Sequence, residues 1–170
     1  MHLRDQLLST HSKANCDLIV NWISSKQNRF DELVSFFLSD DPILSQRAGW
    51  PLSYAGRKHP VLIQKHLKNL IINLKRPTLH DAVKRNTIRL LENIEIPEEI
   101  TGTLMNICFD YISSSTEKPA IKAFSLTVLE NMTIKYPEIK SELKTIIEDR
   151  WDYETAAFRA RARKILKKLT

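Results

Sequence analysis

Glycine is almost missing from this chain, with 3 residues in 170. So few glycines leave little for the turns of an all-β fold, and neither G-x-x-x-x-G-K-[ST] nor a dinucleotide-type glycine loop is present. Gly49 and Gly56 fall on one expected helix, where close packing accounts for them. Cysteine is equally scarce. Cys16 and Cys108 each sit on an apolar helix face, with no metal or redox spacing between them. The five histidines, His2, His11, His59, His66 and His80, are scattered, and none forms the i, i+4 pair with a nearby carboxylate that a helical zinc site needs. No metal and no cofactor are therefore expected. G-x-S-x-G is absent too, so the serines read as caps and linkers, and the chain carries no enzyme motif. There is no charged leader with an apolar core at Met1 and no unbroken apolar run near the ~20 residues of a membrane span. The setting these absences imply is reducing and cytoplasmic.

What is present is charge and helical periodicity. The net charge is +6, but it is not spread over the surface. Arg159, Arg161, Arg163, Lys164, Lys167 and Lys168 hold six of the 26 basic residues, and without them the other basic residues balance the 20 acidic ones. Hydrophobic residues make up 42 %, and a chain this long buries roughly 70 % of its unfolded surface, enough for one core without staples.

The stretch PAIKAFSLTVLENMTIKYPEIKSELKTIIEDR, residues 119–150, sets the pattern. Ile121, Phe124, Val128, Leu129 and Met132 line one face of a first helix. Tyr136-Pro137 makes a corner, because proline lacks the amide that would continue a helix but suits the first turn of the next one. Ile139, Leu143, Ile146 and Ile147 then line a second helix. Earlier segments repeat this. Leu3, Leu7 and Leu8 open the chain. Ser12 caps a helix with Leu18, Ile19, Trp22 and Ile23 inward, and Asn28 caps one with Phe30, Leu33, Val34, Phe37 and Leu38 inward. Leu44, Ala48, Leu52 and Ala55 share a face interrupted by Pro51, which is expected to bend its helix; His59-Pro60 makes the next corner before Ile63, Leu67, Leu70, Ile71 and Leu74. Val83, Thr87, Leu90, Leu91 and Ile94 precede the Ile96-Pro97 corner, and Ile100, Leu104, Ile107 and Tyr111 follow it. Phe158, Ala162, Ile165, Leu166 and Leu169 belong to one more helix.

Corner prolines Pro60, Pro97 and Pro137, with entry prolines Pro42, Pro77 and Pro119, give units of about 40 residues. On these corners, the mid-helix Pro51, and basic residues at like positions (Arg47 in QRAGW, Arg85 in KRNT, Arg161 in RARK), the whole chain resembles the HEAT-repeat family. The fourth unit departs from the pattern, offering Lys122 instead of arginine. The resemblance implies an all-α fold: a short right-handed superhelix of about four helical hairpins plus a terminal helix, in units of approximately 1–41, 42–77, 78–118, 119–154 and 155–170. It also implies a noncatalytic protein-interaction or scaffold module whose partner is another protein, met on the second helix of each pair, where Lys65, Lys68, Lys140 and Lys144 lie outside the apolar stripes; the basic residues suit an acidic partner.

The candidate contacts fall in two groups. Arg47, Trp50 and Tyr54 are spaced three and four apart and form one strip of guanidinium and rings, with Arg85 at the matching place in the next unit. An arginine at a recurring place also commonly bridges neighbouring repeats. Arg159, Arg163 and Lys167 form one row on the last helix and Arg161, Lys164 and Lys168 a second, a stripe suited to nonspecific contact with nucleic acid phosphates or to keeping the outer face soluble. A third reading comes from a group of HEAT-like DNA glycosylases that act on alkylated bases, using tryptophans and an aspartate; the counterparts to weigh are Trp22, Trp50, Trp151, Asp110 and Asp152.

Overall fold

The computed structural model describes residues 1–169; among them there are helices and no strand. Thr170, the last residue of the expected end helix, lies outside the described residues. The helices are α1 (Leu3–Ser9), α2 (Lys13–Ile23), α3 (Gln27–Phe37), α4 (Pro42–Lys58), α5 (Pro60–Ile63), α6 (Leu67–Asn73), α7 (Asp81–Leu91), α8 (Glu98–Ser113), α9 (Pro119–Lys135), α10 (Lys140–Arg150) and α11 (Ala156–Leu169), with single 3₁₀ turns at Gln64–His66, Pro137–Ile139 and Trp151–Tyr153. They form two compact units, α1 to α7 within Met1–Ile96 and α8 to α11 from Pro97 onward.

The proline corners fall where the sequence places them, and two of them are near copies. α4 ends at His59 with φ −134° and ψ 69°, and α9 ends at Tyr136 with φ −122° and ψ 71°. Each donates its amide to the carbonyl four residues back, Ala55 or Met132, and each is followed by a proline that opens the next turn. Steric clash with the proline ring drives both residues out of helical geometry. α4 runs through Pro51 as one 17-residue helix. Its start is set by Pro42 at the first position and by Asp41, whose Oδ1 accepts the Ile43 and Leu44 amides at 2.9 and 3.1 Å.

Two local expectations fail. Ser12 caps α2 as expected, its hydroxyl accepting the Asn15 amide, but Asn28 caps nothing. α3 already starts at Gln27, whose side-chain amide donates to the Leu62 carbonyl and to Asp31, so a tertiary bond decides the boundary in place of a local cap. Leu18 is 56 % exposed. The buried arc of α2 is Cys16, Ile19, Val20 and Ile23; Leu18 lies about 200° round the helix from Cys16. Leu8, Trp22, Leu38, Tyr111, Phe124, Ile146, Leu166 and Leu169 are half-buried, and the rest of the expected core is buried.

α4 is the centre of the first unit, packed against α1, α2, α3, α5 and α7. It can serve so many neighbours because much of its buried surface is small: Ser45, Ala48, Gly49, Ser53, Ala55 and Gly56. A Cβ at Gly49 would lie 2.6 Å from Asn86 Nδ2, and one at Gly56 would lie 2.7 Å from a Leu90 methyl, so both glycines set how closely α7 approaches. In the second unit α9 packs on α8 and α11, and α10 packs on α8 and α11.

A polar clasp ties α3 to the turn after α5. Asp31 accepts from Lys65 Nζ at 2.6 Å and Gln27 at 2.8 Å, and sits 2.6 Å from His66 Nε2. Burial pushes the Asp31 carboxyl up, but the hydrogen bonds from Lys65, Gln27 and His66 outweigh it and hold the group at about 2. Because this folded-state value is depressed, the clasp contributes stability above the unfolded value of about 4, and the contribution is lost as pH falls from there toward about 2. Urea unfolding across that window should show a steeper loss for the native chain than for Asp31→Asn.

Candidate binding cleft

Between α4 and α7, beside the α1–α2 connection, lies a cleft of about 590 Å³, lined by His11, Gln46, Arg47, Trp50, Ala82, Arg85, Asn86 and Arg89. Helical spacing builds both walls. Ala82, Arg85, Asn86 and Arg89 are at i, i+3, i+4 and i+7, one face of α7, while Gln46, Arg47 and Trp50 share a face of α4. His11, from the α1–α2 connection, sits against Trp50 with ring centroids 5.6 Å apart.

The cations of the cleft differ in their commitments. Arg47 Nη1 donates to the Leu7 and Leu8 carbonyls at 3.1 and 2.5 Å, completing the last turn of α1, whose carbonyls have no partner within their own helix. Arg161 behaves in the same way in the second unit: its Nη1 donates to the Ala123 carbonyl at 2.7 Å and to Thr127 Oγ1 at 2.9 Å on α9. Arg85 does not. It is exposed and makes no hydrogen bond, ion pair or ring contact among the described residues. Of three arginines at like repeat positions, two bridge to a preceding helix and one is left facing the cleft.

Tyr54 stands one turn beyond Trp50, edge-on to it at 6.3 Å. Lys13, Arg57 and Arg89 lie 4.9, 4.8 and 5.9 Å from its ring centre. A hydrogen bond from Trp50, with the positive charge of Arg89, Lys13 and Arg57, holds the Tyr54 hydroxyl below its ordinary value against the opposing pull of burial. Among the described residues no carboxylate lines the cleft.

The other candidate residues are placed elsewhere. On α11, Arg161 is used as described, Lys168 pairs with Glu130 at 2.5 Å, and Arg163 lies 5.5 Å from the Trp151 ring centre. Arg159 and Lys164 make no such contact among the described residues. Lys65 is in the Asp31 clasp, and Lys144 is 3.9 Å from Glu148. Of the residues weighed for base excision, only Trp50 lines the cleft. Trp22 carries the Arg29 guanidinium at 4.6 Å, and Asp110 and Asp152 are exposed. Cys16 and Cys108 are free and buried, and burial pushes their thiols up to about 11 and about 12, which leaves them unreactive. No group of three or more metal-ligating side chains occurs among the described residues. His80 Nδ1 caps α7 by accepting the Ala82 amide at 3.0 Å.

A family model described as a HEAT repeat domain matches residues 3–169. The chain is a HEAT-repeat protein. No curated protein and no solved structure matches it. Membership in the HEAT family accounts for the helical pairs. It does not account for the cleft. If the corners of α4 and α9 are superposed, Phe124, Leu126 and Thr127 stand where α4 has Arg47, Gly49 and Trp50, so this repeat fold forms without the cleft residues. His11, Gln46, Asn86 and Arg89 are cleft residues that the sequence reading missed. The i, i+4 pair of Arg85 and Arg89 beside Asn86 was the available signal. None of the described helices is long and apolar enough to cross a membrane.

Proposed function

We propose that this HEAT-repeat protein is a noncatalytic protein-interaction module and that the basic cleft of its first unit is where it meets an acidic segment of its partner. HEAT repeats typically mediate protein interactions, which supports the general role. The observation that carries the cleft assignment is Arg85, which among the described residues is exposed in a lining without carboxylates and makes no intramolecular contact of its own. A lone unused cation is ordinary on a surface, but here it shares a concavity with two more guanidiniums and an indole, the residue types that dominate interface energetics.

The test is a pull-down with the native chain, Arg85→Glu, and a triple variant Arg159→Glu/Arg163→Glu/Lys167→Glu. Proteins recovered by the native chain should fall by about tenfold or more with Arg85→Glu, as expected for a lost charge-assisted contact replaced by repulsion. They should persist with the triple variant. Recovery that is indifferent to Arg85 would remove the cleft from the account. Salt-sensitive retention on DNA, lost only in the triple variant, would favour nucleic-acid binding through α11 instead.

A further inference from the structure

We infer that the cleft is a phosphate-recognition site that accepts a phosphorylated side chain of the partner, so that capture depends on phosphorylation. This rests on the cleft being the recognition surface. Its basis is the donor inventory. Each polar lining residue, His11, Gln46, Arg47, Arg85, Asn86 and Arg89, can donate hydrogen bonds, and none is a carboxylate. Three of the six carry a positive charge with no carboxylate beside them in the lining, so the site favours a guest that is negatively charged and rich in acceptors.

The lining carries three guanidiniums, more positive charge than one carboxylate balances. A carboxylate presents two oxygens and one charge; a phosphomonoester presents three terminal oxygens and a charge near −2 at neutral pH. Arg47 is also held ready. Its Nη1 is fixed by two backbone carbonyls, while its Nε and Nη2 donate no hydrogen bond among the described residues, so ordering it for a ligand costs little further entropy. Asn86 is fixed by donating to the Ala82 carbonyl at 2.8 Å. A volume of about 590 Å³ holds a phosphorylated residue with its flanking backbone.

A nucleic-acid strand fits less well. A phosphodiester carries one charge, and single-strand binding depends on open ring faces for the bases. Here Lys13, Arg57 and Arg89 crowd the Tyr54 ring, and His11 and the Tyr54 edge flank Trp50. Trp50 in the lining and Tyr54 beside it are thus engaged with the protein's own groups.

The experiment follows the Trp50 indole N–H by NMR on the full chain, with the resonance assigned through Trp50→Phe. The probes are a short alanine-rich peptide with one phosphoserine, its unphosphorylated and glutamate-substituted forms, inorganic phosphate, and a thymidine oligonucleotide. The phosphopeptide should shift the resonance saturably, with a Kd about tenfold or more below that of the glutamate peptide. Arg85→Glu should abolish the shift, Arg85→Lys should weaken it by loss of the planar fork, and Lys168→Glu should leave it unchanged. Arg85 has no partner among the described residues, so unfolding midpoints should match the native chain and separate lost binding from lost folding. Equal binding of the phospho- and glutamate peptides, inorganic phosphate binding as tightly as the phosphopeptide, tighter binding of the oligonucleotide, or no saturable shift would each overturn the inference. Phosphatase treatment of the lysate used for capture distinguishes the two claims. Partners that remain Arg85-dependent after treatment leave the cleft as the recognition surface but refute the phosphate, whereas Arg85-independent capture refutes both.

Discussion

Replacing Glu154 with Ala should destabilise the protein by about 3–5 kcal/mol, among the largest effects open to a single substitution here. Lys122 Nζ and Glu154 Oε1 are 2.5 Å apart with side chains only 3 % and 4 % exposed, and Arg150 donates to the same oxygen from Nε at 3.1 Å and Nη2 at 2.9 Å. Removing the carboxylate strands an ammonium in the interior and strips Arg150 of its acceptor. Lys122→Ala should cost less, because Glu154 keeps Arg150. Replacing both partners, Lys122→Met with Glu154→Leu, should recover most of the loss, since apolar groups of similar volume need no compensation for desolvation. Urea titrations of the three variants check the order. A double variant as unstable as Glu154→Ala would show that the two charges do not act as a pair.

Phe158→Ala should cost about 3–5 kcal/mol as well. Phe158 is fully buried and is the largest of the three buried side chains of α11, with Ala162 and Ile165. Without it the helix keeps an alanine and an isoleucine as anchors on α9 and α10. Amide exchange of α11 should accelerate more than that of α8, because the helix loses its main attachment. Phe158 lies one turn from Glu154 on the approach to α11, so the two losses are expected to be non-additive. Uniform acceleration through the second unit would mean that α11 is not separately anchored.

The corners could be read from the sequence because proline acts through covalent geometry. A missing amide and a ring clash operate whatever the surroundings, and His59 and Tyr136 duly adopt nearly one conformation. The core stripes could be read where an arc of four residues repeats, as in α4 and α7. They failed at Leu18, which was grouped with Ile19 and Ile23 although it lies across the helix from the buried arc of α2. The start of α3 was hidden because Gln27 bonds to Leu62, 35 residues away. The Lys122 and Glu154 pair was hidden for the same reason, with 32 residues between its partners.

The cleft was half legible. Arg47, Trp50 and Arg85 carried a local signal in their spacing, but what separates Arg85 from its counterparts is the absence of an internal acceptor, a property of the packed helices. His11 comes from a connection whose direction the sequence does not specify. Asn86 is visible only once Gly49 is seen opposite it.

That glycine sets the gauge of the opening. Where two helices meet over hydrogen atoms instead of side chains, adding a single carbon would work as a shim, resizing the mouth and the guests it admits while every group that grips them keeps its identity. Selectivity in such an arrangement can drift through a residue that never touches what is bound.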